Sequence, residues 1–236
     1  MLGGSFNPPH LGHIALARHA LGELALDRVL LMPAQRSPHK AGEQDPGPEH
    51  RLRMCQLAVA GVARLGVSAL ELQRPGPSYT VDTLRVLHAE HPDIQLTFLL
   101  GADVARTLPA WREPRELLAL AELAVALRHL AESEGEHARP ASREAADRAA
   151  GGDVGELEVR RALASLPGGR VRFLTMPPID VSSSLVRVRV HRGERVEALV
   201  GPAVAAYIAE HGLYRSGGAR RPAGARPART AGESTA

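Results

Sequence analysis

Cysteine, lysine and aromatic residues are scarce in this sequence. It has one cysteine, Cys55, one lysine, Lys40, and only 3% phenylalanine, tyrosine and tryptophan together. A single thiol excludes an intrachain disulfide and any cysteine-built zinc site. The neighbours of Cys55 in RLRMCQLAVA form the apolar face of a helix, so it reads as a buried structural thiol. No run approaches the roughly 18 uninterrupted apolar residues of a membrane span, and the opening residues lack the basic-then-apolar layout of a signal peptide. A reducing, cytoplasmic setting without a membrane partner is expected.

Excess charge is also confined. The net charge is +3, yet five arginines and one glutamate lie between Arg215 and Ala236, so the remainder is close to neutral. That stretch is rich in glycine, proline, alanine and arginine with almost nothing to bury, and is expected to be a disordered tail (215–236) behind one domain (1–214). Solvated disorder is the reading preferred over a weak nucleic-acid contact, and no specific nucleic-acid partner is expected. The 236 residues, 44% of them hydrophobic, suffice for one sizeable α/β core. They do not fix the number of copies; a homo-oligomer is compatible with them.

What is present is a regular alternation. Short apolar runs at Val29–Met32, Val67–Leu72, Leu96–Leu100, Leu123–Leu127 and Val171–Met176 read as strands. Segments Leu11–Leu26, Glu49–Val62, Thr80–Glu90 and Val154–Leu166 have helical period. The order predicts a doubly wound, mostly parallel sheet of Rossmann-like design, with ligands in the loops leaving the carboxyl ends of strands. Residues 128–155 are polar and are expected to form an excursion or a frayed helix. Only Met1 and Leu2 precede the Gly3-Gly4 turn, whereas a strand needs about four to six residues. A longer first strand, cut short at its start, is expected.

The richest chemistry lies in GGSFNPPHLGHIALARHA, residues 3–20. Gly3 and Gly4 permit a tight turn whose backbone N–H groups approach an anion, with Ser5 and Phe6 completing it. Asn7, Pro8 and Pro9 hold the chain extended until a helix opens near Leu11. His10 and His13, three apart at that helix start, project from one face beside free N–H groups and the positive end of the dipole. Both can donate to phosphate oxygens. A second strand-to-helix passage is IDVSSSLVRVRV, residues 179–190, where Ser182 or Ser183 can cap the helix and Arg187 adds paired donors.

Three further patches lie between these. PAQRSPHK ends in Lys40, a compact point charge in an otherwise arginine-only chain or else a solvated loop lysine. SYTVDTLRVL opens a helix with Ser78, Tyr79 and Thr80. FLLGADVARTLPAW leaves a strand at Gly101 and reaches Trp111; its Asp103 contacts a ribose or a phosphate-bound metal, or simply caps a helix. Trp111 stands between Pro109 and Pro114 in a stretch too polar for a core, and reads as a pocket wall.

The segment from Gly3 to Ala20 resembles the nucleotidyltransferase superfamily with H/T-x-G-H motifs, in particular bacterial nicotinate-nucleotide adenylyltransferases, and the likeness runs to about Tyr214. IDVSSSLVR is similar to that family's I-S-S-T-x-I-R signature, with Val181 and Ser184 in place of Ile and Thr. The resemblance implies transfer of AMP from ATP to nicotinic acid mononucleotide. It implies a triphosphate grip by Ser183, Ser184 and Arg187, and a nicotinate pocket from the backbone at Tyr79 and Thr80 with the Trp111 ring. Gly3, Gly4, Ser5, Phe6, Gly101 and Asp103 would complete the ATP site. Mg²⁺ would arrive bound to ATP, since no all-protein metal cage is visible. Rival acceptors are nicotinamide mononucleotide and phosphopantetheine; a non-catalytic nucleotide- or RNA-binding module is the rival of another class. One departure is Arg128-His129-Leu130, where the family commonly carries Arg-Pro-Gly, so the following loop is expected to run differently.

Overall fold

A computed structural model describes residues 1–36, 44–128, 156–166, 168–177 and 179–215. Lys40, His129, Leu130 and nearly all of the proposed excursion and tail lie outside them. Six strands form one sheet: β1 (Leu2–Gly4), β2 (Val29–Pro33), β3 (Leu65–Val67), β4 (Thr97–Gly101), β5 (Glu122–Arg128) and β6 (Val171–Met176). Every pairing is parallel and the order is β3-β2-β1-β4-β5-β6. The doubly wound expectation therefore holds, with a sheet parallel throughout.

Period-2 alternation sets the two faces. On β4 and β5, Phe98, Leu100, Leu123 and Val125 point into one core, and Leu99 and Ala124 into the other. The first core is covered by α3 (Thr80–Glu90), α4 (Ala102–Ala105), α5 (Pro114–Leu120) and α6 (Glu156–Leu163), the second by α1 (Leu11–Glu23) and α2 (Pro48–Val59). A third cluster packs α7 (Ser183–His191), α8 (Glu197–Val200) and α9 (Pro202–Glu210) around Met54 of α2. Cys55 is buried, and burial pushes its thiol pKa far up, as fits a structural residue.

The expected bounds shift at several elements. The run Val67–Leu72 is not a strand: β3 spans Leu65–Val67, and Leu70–Gln73 is a 3-10 turn. Ser68 ends the ladder by donating its N–H to Leu31 and accepting the Leu70 N–H on its hydroxyl. Helix α2 stops at Val59 rather than Val62, ahead of Gly61 at φ +75°. β1 has three residues, fewer than a free-standing strand needs, but it lies between β2 and β4. Its register pairs Leu2 with Leu31 and Leu99. The Met1 amine donates to the Thr97 carbonyl at 2.5 Å, and burial lowers its pKa to about 5.

Candidate active site

Strand order reverses between β1 and β4, and in sheets of this kind ligands bind beyond the carboxyl ends of the flanking strands. A cavity of about 620 Å³ opens there. Gly3, Gly4 and Ser5 line it after β1, and Gly101 and Asp103 after β4. His10 and His13 form one side, with Tyr79, Thr80 and Trp111 forming another. A Cβ on Gly101 would meet no atom within 4 Å, so packing does not require glycine there and the space belongs to the cavity.

The loop after β1 is held from below. Phe6 takes φ +48° with its ring in the core, edge-on to His13 at 4.9 Å, so its side chain anchors the loop rather than facing the cavity. His10 caps α1 in extended conformation, and its N–H donates to His13 Nδ1 at 3.1 Å. In a neutral imidazole that leaves Nε2 as the donor, which fixes the His13 tautomer. The two imidazoles stack with centroids 3.7 Å apart. No acidic residue stands in the first turn of α1, so the helix field at the pair is uncancelled.

At the start of α7, Ser182 is the cap: its hydroxyl accepts the Leu185 N–H at 3.1 Å. Ser183 Oγ donates to the Pro8 carbonyl at 2.8 Å, and Arg187 donates to the Asn7 carbonyl at 2.7 Å and to Ser184 Oγ at 3.1 Å. Ser183 and Arg187 thus hold the first loop at Pro8 and Asn7, Ser184 is held by Arg187, and the cavity lining reaches along this segment to Val181.

On the other side α3 opens at Thr80 with Tyr79 as its cap residue. Arg112 lies over the Tyr79 ring, 4.9 Å from its centroid. Trp111 is half-buried, donates Nε1–H to Thr107 Oγ1 at 3.0 Å, and has its ring 6.1 Å from that of Phe98. Asp103 is the second residue of α4, which is capped by Gly101; the carboxylate is exposed and lines the cavity. The helix-cap reading of Asp103 is therefore replaced.

Sequence reasoning missed the polar residues beneath the loops. The buried polar or charged side chains among the described residues are Asn7, Arg51, Glu71 and Thr83. Asn7 Nδ2 donates to the Gln44 carbonyl, and Asn7 Oδ1 accepts the Tyr214 hydroxyl at 2.8 Å. Glu71, lining the cavity, accepts from Thr83 Oγ1 at 2.8 Å; burial raises its pKa, against the hydrogen bonds of Thr83 and Ser78 and the charge of Arg74. Ser78 Oγ accepts the Gln35 N–H at 2.9 Å. One signal was available: Arg51 shares the apolar face of α2 with Met54 and Cys55 at helical spacing, where a solvated arginine has no place.

A glycine turn, two histidines and two aromatic residues lining one cavity, set at the reversal of a parallel sheet, fit a nucleotide-binding α/β protein of the nucleotidyltransferase type. Residues 1–189 match the model of the cytidylyltransferase-like family, and the chain belongs to that family. It is 37% identical to a protein of Thermomicrobium roseum named "Probable nicotinate-nucleotide adenylyltransferase", over 94% of each chain. A protein of the same name from a Synechococcus species is 39% identical over 91% of this chain and 93% of its own. In fold it resembles the Plasmodium falciparum nicotinic acid mononucleotide adenylyltransferase complexed with NaAD. The TM-score is 0.66 at 16% identity, covering 90% of this chain and 95% of that one.

Proposed function

We propose that this protein transfers AMP from ATP to nicotinic acid mononucleotide, releasing pyrophosphate and forming nicotinic acid adenine dinucleotide, a step of NAD biosynthesis. The observation that carries the reading is one cavity joining the stacked His10–His13 pair to Tyr79, Thr80 and Trp111. The near-full-length likeness to nicotinate-nucleotide adenylyltransferases supports the choice of acceptor. A flat pyridine ring benefits from an aromatic wall, and a pantetheine arm does not.

The acceptor's phosphate oxygen attacks the α-phosphorus of ATP, that P–O bond forms as the bond to the bridging oxygen breaks, and pyrophosphate leaves in line. The attacking oxygen is already anionic at neutral pH, so no covalent intermediate and no general base is needed. Positioning and charge stabilisation carry the rate. Nε2–H of His13, with His10 beside it, stabilises charge growing on the α- and β-phosphates. The backbone at Gly3, Gly4 and Ser5 and the start of α7 at Ser183 and Ser184 receive the rest of the triphosphate. Arg187 turns from the Asn7 carbonyl toward the β- and γ-phosphates. Lys40, outside the described residues, neutralises the incoming phosphate.

Mg²⁺ enters as part of the substrate MgATP. The donor set fits that role: the exposed Asp103 carboxylate lines the cavity, and magnesium commonly takes one or two carboxylates together with substrate phosphates. No described helix is long and apolar enough to cross a membrane. The test is pyrophosphate release from ATP and Mg²⁺ with nicotinic acid mononucleotide, nicotinamide mononucleotide or phosphopantetheine. Turnover is expected with the first. Robust turnover with phosphopantetheine and none with either pyridine nucleotide overturns the reading.

A further inference from the structure

We infer that Arg51 is a positioning residue that locks the phosphate loop to the acceptor loop, so that the two halves of the site are aligned by one buried guanidinium. It is 1% exposed at the first turn of α2 and does not itself line the cavity. Nη1 donates to the Ser5 carbonyl at 2.9 Å and the Ala34 carbonyl at 2.7 Å. Nη2 donates to the Gln35 carbonyl at 2.9 Å, and Nε to Asp45 Oδ1 at 3.0 Å. Ser5 belongs to the turn after β1, Ala34 and Gln35 to the turn after β2. The rigid fork of arginine can serve acceptors on both turns at once; the single ammonium of lysine cannot.

Each bond has a consequence on the far side of its peptide. A peptide unit is planar, so a carbonyl held by Arg51 aims the next N–H away from it. At Ser5 this fixes the Phe6 N–H in a residue already at φ +48°, a conformation that needs support from its surroundings. At Ala34 the carbonyl is held by Arg51, and the N–H across that peptide, that of Gln35, is donated to Ser78 Oγ, immediately before Tyr79 and Thr80. Ser78 is bonded in turn to Glu71. Arg51 therefore stands at the centre of a chain of bonds running from the turn that carries Ser5 to the helix start that carries Thr80. No other buried arginine or lysine is found among the described residues. A cation removed from water is retained only where its donors are satisfied, and here the acceptors are mostly the carbonyls of these two turns.

The inference rests on the proposed adenylyl transfer for its kinetic consequence, but not for its structural one. The experiment compares wild type with Arg51→Lys, and with Arg51→Ala with and without tens of millimolar methylguanidinium, by hydrogen exchange and by pyrophosphate release. In the ligand-free protein, amides of residues 3–7 and 34–36 are expected to lose protection together in Arg51→Lys, while those of β4 and β5 keep theirs. With substrates, kcat should fall about 10²-fold and KM should rise for both ATP and the mononucleotide, with recovery of Arg51→Ala by methylguanidinium. If Arg51→Ala does not fold, Arg51→Lys carries the comparison. Loss of protection in one turn alone, or kcat and both KM values within twofold of wild type in folded Arg51→Lys, overturns the inference. Paired loss of protection in a wild type that makes no pyrophosphate keeps it, and places the failure in the proposed function.

Discussion

A methyl group at position 12 tests the histidine pair with the smallest possible change. Built on Gly12, a Cβ would lie 3.0 Å from Val181 Cγ1 and 3.1 and 3.2 Å from Nδ1 and Cε1 of His10. Comfortable contact between such atoms is about 3.5 to 4.0 Å, so each approach is short by roughly half an ångström. Val181 is buried, whereas the His10 ring borders the cavity, so the ring is the part that gives. Alanine within a helix is favoured over glycine by about 1 kcal/mol, which offsets much of the crowding. Gly12→Ala should therefore melt within about 4 °C of wild type. The displaced ring no longer stacks squarely on His13, and kcat should fall by about tenfold or more, with KM for the mononucleotide changing less. Steady-state pyrophosphate release at saturating ATP, beside a thermal melt, measures both. A variant with unchanged melting and kcat within twofold of wild type would refute the placement of His10 at the reacting phosphates.

Four further outcomes are expected. His13→Ala should lower kcat by about 10²-fold or more with a smaller change in KM for ATP, which single-turnover kinetics can separate from binding. Trp111→Ala should raise KM for the mononucleotide by about tenfold and leave KM for ATP within twofold, and the lone tryptophan's fluorescence should respond to the mononucleotide without ATP. A signal indifferent to the mononucleotide would return Trp111 to the core. Glu71 has its pKa raised by burial, so its stabilising contribution is fully present below its unfolded pKa near 4.5 and is lost as pH rises through the folded value. The melting temperature of wild type relative to Glu71→Gln should accordingly decline as pH is raised from 4 towards 7; a pH-independent difference contradicts it. Deleting residues 216–236 should leave melting and kcat unchanged, because that composition has no apolar surface to bury, whereas deletion from 214 onward removes the Tyr214 hydroxyl from Asn7 and should cost both.

The segments whose local chemistry is self-sufficient were legible in the sequence. Helix Thr80–Glu90 has both ends where its pattern puts them, and the turn from Gly3 to the helix at Leu11 is punctuated by glycine, proline and histidine. Periodicity failed at Val67–Leu72, where an apolar run continues past a serine whose hydrogen bonds end the strand. It also gave no separate helix at Pro202–Glu210, although Gly201 at φ +83° followed by Pro202 at the first position is a helix start. The supporting residues were hidden for another reason. Glu71 and Thr83 are polar types that pattern reading sends to the surface, and although the spacing of Arg51 marks it as buried, only the fold brings all three under the two loops. The triphosphate grip of Ser183, Ser184 and Arg187 rests on the resemblance; their side-chain bonds to Asn7, Pro8 and one another have no signal in the pattern.

The joint at Asn7 has a consequence for synthesis of the chain. Its carbonyl meets Arg187, its side-chain amide meets Gln44, and its side-chain oxygen meets Tyr214, 207 residues downstream. A ribosome-bound chain ending at residue 180 already holds all six strands, yet lacks two of the three groups that set the seventh residue. The sheet can therefore form before the loop acquires its partners, and nucleotide affinity should appear late, once the segment bearing Tyr214 is free to fold back onto Asn7.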